Sequence, residues 1–285
     1  MRTRLDFSKC VIVFILVVFS FLAIYPFYYV IIGSFSKGAD YSSSVWLLPY
    51  KPTFASYLSV LKDSSLWVAL RNTLLVTIFG TMIALAVTSA VAFAVSMHDL
   101  PYKNFIMKYF LFTMFFGGGL VPYFLLIVAI GLYDSFLVYI IPSCFSVYNM
   151  IIMSNFFKKI PYEMCESALI DGANYFQIFL YLYLPCSTAV LVTVGLWVGV
   201  GYWNSYMTCL LYTKNPQLRT LQYYLIRLIK EKSFSSESMN LMDEMVSSQT
   251  ITYAAVVLST VPILCVYPFM QKHFTKGVFL GSVKG

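Results

Sequence analysis

Long apolar runs separated by short polar breaks dominate this chain. Six of them, at about 10–32, 73–97, 109–130, 136–157, 186–211 and 249–271, reach membrane-spanning length. A helix needs roughly 20 apolar residues to cross a hydrocarbon core of about 30 Å. Each run is expected to be helical, because lipid offers the backbone no hydrogen-bond partner. Longer polar stretches fill 33–72, 158–185 and 212–248. The first run exceeds the apolar length of a cleaved signal and lacks a small-residue cleavage pattern, so it is expected to remain as an anchor. Cys10 directly follows Lys9 with no apolar lead, which does not suit a lipid-attachment site.

Composition agrees with the pattern. Hydrophobic residues make up 60% and charged residues 11%, and the mean hydropathy is +0.77. A soluble fold of 285 residues would need a more polar shell. The expected fold class is therefore all-α: a polytopic membrane protein of six transmembrane helices forming one domain over 1–285.

Lys and Arg in short loops set the orientation. Arg2, Arg4 and Lys9 precede the first run, Lys103 and Lys108 flank the third, Lys158 and Lys159 follow the fourth, and Lys272, Lys276 and Lys284 follow the sixth. The short break at Gly131–Ser135 has none. Both termini and the 158–185 stretch are thus expected in the cytoplasm, with 33–72 and 212–248 outside. Those two outer loops carry nine basic residues, but long loops obey the charge rule poorly. The net charge of +7 reads as membrane topology and gives no reason to invoke nucleic acid.

Several chemistries are disfavoured. All twelve acids and both histidines fall outside the spans or at their ends, whereas proton-coupled transporters keep an ionisable group at depth. An intramembrane protease or metal-dependent enzyme would need the same. The six cysteines form no CxxC or Cys/His cluster and read as small hydrophobes. No GxxxxGK[ST] loop occurs, so no ATP is expected in this chain by that route.

The polar stretch 158–185 carries the most information. Pro161 suits a first helical position and Glu163 complements the helix dipole. Tyr162–Ile170 can form about two turns, and Asp171-Gly172 suits a stop with glycine in the left-handed region. Asn174 can cap a second helix over Tyr175–Leu184, and Pro185 marks entry to the fifth span. An ordinary interfacial loop is the plainer reading of the same physics.

At these residues a resemblance appears. Glu166-Ser167-Ala168, Gly172, Leu182, Leu184 and Pro185 are similar, at the same spacing, to the EAA-x3-G-x9-I-x-L-P loop of importer-type ABC permeases. Ser167 and Leu182 depart mildly from it. The end of the chain, Tyr267-Pro268-Phe269 through Lys276-Gly277 and then Gly281 to Lys284, resembles carbohydrate permeases of the maltose-permease G type, with closest likeness to their lipoprotein/polysaccharide-type branch. The resemblance implies a type I ABC importer permease fold in the bacterial plasma membrane. It implies a cytoplasmic EAA coupling helix seated in an ATPase cleft, with Glu166, Ser167, Ala168, Asp171, Gly172, Leu184 and Pro185 as coupling residues. The implied partners are a homologous second permease, two cytoplasmic ATPase subunits that hold ATP and Mg, and an extracytoplasmic solute-binding protein. The chain itself would be no enzyme and hold no cofactor or metal, and carbohydrate, as an oligosaccharide, would be the cargo. The tail at Lys276, Gly277, Gly281 and Lys284 either enters the ATPase interface or frays. An ABC permease for a non-sugar solute, or an ion-coupled secondary transporter, are the competing functions.

Two regions keep alternatives open. Gly117-Gly118-Gly119 and Pro122 interrupt the third span, to line a cavity or to let helices pack closely. Trp197, Tyr202, Trp203 and Asn204 suit a sugar path, since rings cover C–H faces and an amide bonds hydroxyls; an interfacial aromatic belt is the competing reading. The outer loop contains Leu218-Arg219-Thr220-Leu221-Gln222, which matches the family's usual run. Its 231–245 segment is either docking surface or a solvated loop.

Overall fold

The computed structural model describes residues 7–37, 48–49, 51–235 and 247–279. Every regular element among them is helical. They form two compact units, Met1–Leu66 with Leu225–Pro262, and Trp67–Tyr224 with Ile263–Gly285.

In the first unit, α1 (Phe7–Phe35) and α2 (Ala55–Lys62) meet through Phe35, whose ring lies 5.4 Å from Phe54 and 5.0 Å from Tyr57. Tyr57 also shares a 2.7 Å hydroxyl contact with Ser34. Ser56 donates to Thr250 at 2.9 Å. The apolar surface of α1 is bare over Val11–Phe27, with Phe14 and Phe19 each 68% exposed, as a helix facing lipid or another subunit would be.

The second unit begins with α3 (Ser64–Ser96), whose last residues from Trp67 onward belong to it. Its 33 residues span about 50 Å, more than one hydrocarbon thickness. Next come α4 (Lys103–Phe115), α5 (Leu120–Ala129), two short 3-10 turns over 136–143, and α6 (Val147–Phe157). Then follow α7 (Tyr162–Ile170), α8 (Tyr175–Cys186), α9 (Thr188–Trp203) and α10 (Met207–Tyr212). α11 (Leu221–Ser235) starts in this unit and passes into the first at Leu225, and α12 (Ser248–Phe279) belongs to the first unit as far as Pro262.

Helix continuity is where structure and sequence reading part. Two helices, Val11–Phe35 and Ser64–Ser96, are by themselves long and apolar enough to cross a membrane. The apolar stretches around the third, fourth and fifth runs are instead bent pairs: 111° between α4 and α5, 47° between 136–143 and α6, and 84° between α8 and α9. Each bend has a chemical cause. Gly119 adopts φ +84, a region open to glycine, and a Cβ at Gly117 or Gly119 would meet nothing of this chain within 4 Å. Ser146 is extended and caps α6 through Asn149 N. Pro185 cannot donate to the carbonyl four residues earlier, and α8 widens into a π turn over Phe179–Tyr183 just before it. The last apolar helical stretch described is Gln249–Cys265.

Two apolar cores organise the second unit. One gathers Phe93, Met150, Met153, Phe157, Cys165, Phe179, Tyr183 and Val194, with the Tyr183 ring edge-on to Phe93 and Phe157 at 4.8 and 5.7 Å. The other gathers Val76, Ala84, Ile127, Tyr139, Tyr202, Cys209 and Tyr212. α9 contributes to both and joins them: Val190 and Val194 sit in the first core and Tyr202 in the second.

Candidate functional site

The 158–186 segment folds as an elbow. Pro161 precedes α7 as its N-terminal flanking residue, one position before the first helical place expected for it. The end of α7 is a Schellman closure: Ala173 N donates to Ala168 O at 2.9 Å and Gly172 N to Leu169 O at 3.0 Å, with Gly172 at φ +86. Two residues on, Asn174 and Gln177 form a reciprocal capping box, each bond 2.9 Å. The turn between the two helices is thus closed on both sides by backbone-satisfying bonds, and its geometry is stiff.

Cys165 is fully buried and anchors α7 to the first core. Glu166, Ser167, Asp171, Gly172 and Pro185 are exposed, while Ala168 and Leu184 are half-buried. Between the two helices of the elbow lies an open hollow of about 690 Å³ lined by Met164, Ser167, Ala168, Asp171, Gln177 and Tyr181, among others. Of the elbow's large side chains, Ile170 is 86%, Tyr181 79% and Phe176 68% exposed. Ile170 belongs to α7, and Phe176 and Tyr181 to the first half of the α8–α9 bent pair.

A tether missed by the sequence reading ties this elbow to α3. Tyr162 donates to Asp99 Oδ2 at 2.7 Å, and the His98 ring stands edge-on to Tyr162 at 4.7 Å. The Asp99 carboxylate pushes the Tyr162 phenol well above its ordinary range. Lys103 donates to the carbonyls of Met97 and Ser96 at 2.8 and 3.3 Å, closing the end of α3. Burial, then Asp99 and Glu166, raises the Cys165 thiol. The sequence signal was the His98-Asp99 pair directly after an apolar run.

At the other end of α9 the chain makes a strap over 214–222. Asp134, at φ +56, accepts from Lys214 N and Asn215 N, both at 2.8 Å, and these bonds hold its carboxyl below the ordinary range. Asn72 donates to the carbonyls of Gln217 and Arg219 at 2.6 and 3.0 Å. Tyr139 donates to Leu218 O, Thr220 donates to Ser205 O, and Leu221 N donates to Thr73 Oγ1, each at 2.8 Å. Asn72 and Asp134 were not singled out from sequence; a lone amide at the edge of an apolar run was the available signal.

The four path residues separate into two pairs. Tyr202 is buried against Gly80, and its hydroxyl points to Ile140 O at 3.5 Å. Trp203 is buried as well, while Trp197 is 47% exposed and Asn204 is exposed. Of the tail residues, Lys276 and Gly277 fall within α12, and Gly281 and Lys284 lie outside the described residues. Among the described residues, no group of three metal-ligating side chains comes together.

No protein-family model matches the chain. Over 276 residues it is 37% identical to the polygalacturonan/rhamnogalacturonan transport system permease protein YtcP of Bacillus subtilis, covering 95% of this chain and 96% of that one. The chain belongs to the carbohydrate ABC transporter permeases. The permease is also 34% identical to Protein LplC of Bacillus subtilis over 266 residues, 93% of this chain and 90% of that one. Its fold superposes with a TM-score of 0.87 on a chain from the crystal structure of a bacterial ABC transporter involved in the import of the acidic polysaccharide alginate. That match has 30% identity and covers 96% of the permease and 98% of its counterpart. The permease is thus a membrane protein and a transporter subunit of an ABC carbohydrate importer.

Proposed function

We propose that this permease forms half of the transmembrane path of an ATP-driven importer for oligosaccharides that carry uronate carboxylates. The near full-length likeness to YtcP, a permease whose name specifies acidic pectic polymers, carries this reading. The alginate importer, named for another acidic polysaccharide, supports the same cargo class. A homologous permease completes the path, two cytoplasmic ATPase subunits hold the nucleotide, and an extracytoplasmic binding protein delivers the sugar. The chain crosses the membrane six times, each bent pair serving as one crossing, with both termini and the elbow in the cytoplasm.

The elbow is the coupling element. Glu166, Ser167, Asp171 and Gly172 meet the ATPase cleft, Ala168 keeps the contact face small, and Leu184 and Pro185 join the elbow to α9. Its closed turn and its exposed Ile170, Phe176 and Tyr181 support a rigid docking knob. The tail at Lys276, Gly277, Gly281 and Lys284 reaches the ATPase interface. Trp197 and Asn204 line the sugar path, and Tyr202 and Trp203 form the packed wall behind them. Two assays test the reading. Reconstituted liposomes should take up sugar with ATP and not with an imposed pH gradient alone. In intact cells, a single cysteine at Asp171 on a cysteine-free background should resist an outside-only reagent. Uphill uptake without ATP would overturn the energy source, and outside labelling would overturn the topology.

A further inference from the structure

The strap over 214–222 is held with unusual care for a loop. Side chains of Asn72, Thr73, Tyr139 and Asp134 bond six of its backbone groups, and the strap's own Thr220 donates to Ser205 O. Asn72, Thr73, Tyr139 and Thr220 are buried. Loops are normally mobile, and one fixed by a rigid scaffold is where binding groups are kept.

What the strap presents is a set of sugar-binding groups. The Arg219 guanidinium lies 5.6 Å from the centre of the Tyr223 ring. Tyr223 in turn stacks on Tyr206, with centres 6.2 Å apart and planes at 24°. Beside them Gln222 Nε2 donates to Asn204 Oδ1 at 3.0 Å, and Asn204 Nδ2 donates to Val200 O at 3.0 Å, so this amide pair is oriented. No carboxylate among the described residues pairs with Arg219. Below Asn204 on α9 come Gly201 and Trp197, which share its face at i, i+4 and i+7 spacing. Trp197 is exposed, and Gly201 leaves open space where a side chain would stand.

We propose that Arg219, on the Tyr223–Tyr206 platform and beside the Asn204–Gln222 amides, is the station that receives the carboxylate of a uronate residue at the outer mouth of the path. The chemistry divides naturally. A guanidinium binds a carboxylate through paired N–H donors, aromatic faces cover the C–H side of a pyranose, and amides bond its hydroxyls. α9 has 16 residues and spans about 24 Å, which sets the strap at the opposite end from the elbow. The Gly201–Trp197 face then continues inward from the station. This proposal rests on the acidic-sugar importer reading above.

The test uses the whole importer with its binding protein in liposomes, and two probes: trigalacturonate and the same trisaccharide with its carboxyls reduced. Arg219→Gln should lower trigalacturonate uptake about 10-fold, the scale of one charge-assisted hydrogen bond, and leave the reduced probe unchanged. Arg219→Lys should restore part of the loss. ATP hydrolysis stimulated by the binding protein should stay at the wild-type level, which separates the effect from misfolding. Equal uptake of trigalacturonate by Arg219→Gln and wild type would overturn the station while sparing the importer reading. Failure of the wild type to take up trigalacturonate would overturn the cargo reading and the station with it. A loss seen with phosphatidylglycerol liposomes and absent with phosphatidylcholine alone would assign Arg219 to lipid phosphate and overturn the proposal.

Discussion

Graded substitution at Gly172 separates two costs that a single variant would merge. Gly172 sits at φ +86, and a Cβ there would meet nothing within 4 Å in this chain. Any L-residue in the left-handed region costs roughly 1–2 kcal/mol, and asparagine less. In the permease by itself, Ala and Trp at 172 should therefore cost about the same, because neither has anything to strike. Docked in an ATPase cleft, the two should diverge, since only the indole needs room. The expected order in the assembled importer is wild type, Gly172→Asn, Gly172→Ala, and far below them Gly172→Trp. Retention of ATPase subunits through purification and sugar-stimulated ATP hydrolysis both read it. The isolated permease, followed by thermal aggregation, should show Ala and Trp together. If Trp and Ala also coincide in the assembled importer, Gly172 serves turn geometry alone and the elbow is not seated in a cleft there.

Three further outcomes follow from the packing. Gly80→Ala would place a methyl 2.8 Å from the buried Tyr202 ring, an overpacking cost of about 1–3 kcal/mol, visible as earlier thermal aggregation and relieved by Tyr202→Leu; unchanged aggregation would refute the contact. Tyr162→Phe keeps the ring against His98 and deletes the bond to Asp99, so it should reduce sugar moved per ATP hydrolysed without loss of ATPase subunits, and Asp99→Asn, which still accepts, should retain more function than Asp99→Leu. The Asp134 carboxyl is held below its ordinary range by two backbone donors, so its contribution is complete above about pH 4 and is lost as pH falls through the depressed value. Proteolytic nicking of 213–220 should be flat from pH 8 to 5 and rise at more acid pH, and Asp134→Asn should remove that dependence.

The elbow was readable because its signals are local. Asp171-Gly172 and Asn174 state a helix stop and a helix start within a few residues, the helix over Tyr162–Ile170 forms at those bounds, and the structure adds Gln177 as the second half of the cap. The tether and the strap were not readable, because their partners lie far apart in the chain. Asp99 meets Tyr162 across 63 positions and Asn72 meets Arg219 across 147, and no periodicity encodes such pairs. The bends had the opposite difficulty. Gly119 and Pro185 were conspicuous, yet an apolar run has the same composition whether it crosses straight or folds at 111°. Tyr202 and Trp203 looked like Trp197 in sequence, and only the folded packing, which sets Tyr202 against Gly80 and buries Trp203, divides buried from open.

The bare Ile170, Phe176 and Tyr181 of the elbow bear on how a cell must make this protein. With the elbow in the cytoplasm, as proposed above, an unassembled copy would display sticky apolar groups where chaperones and proteases act on such surfaces. The half-life of the permease would then follow the supply of ATPase subunits, with surplus copies destroyed instead of stored. Synthesis of the two in matched amounts becomes a condition for accumulation. Pulse-chase measurement of the permease with and without co-expressed ATPase would read this directly, and equal half-lives would show that the knob is no degradation signal.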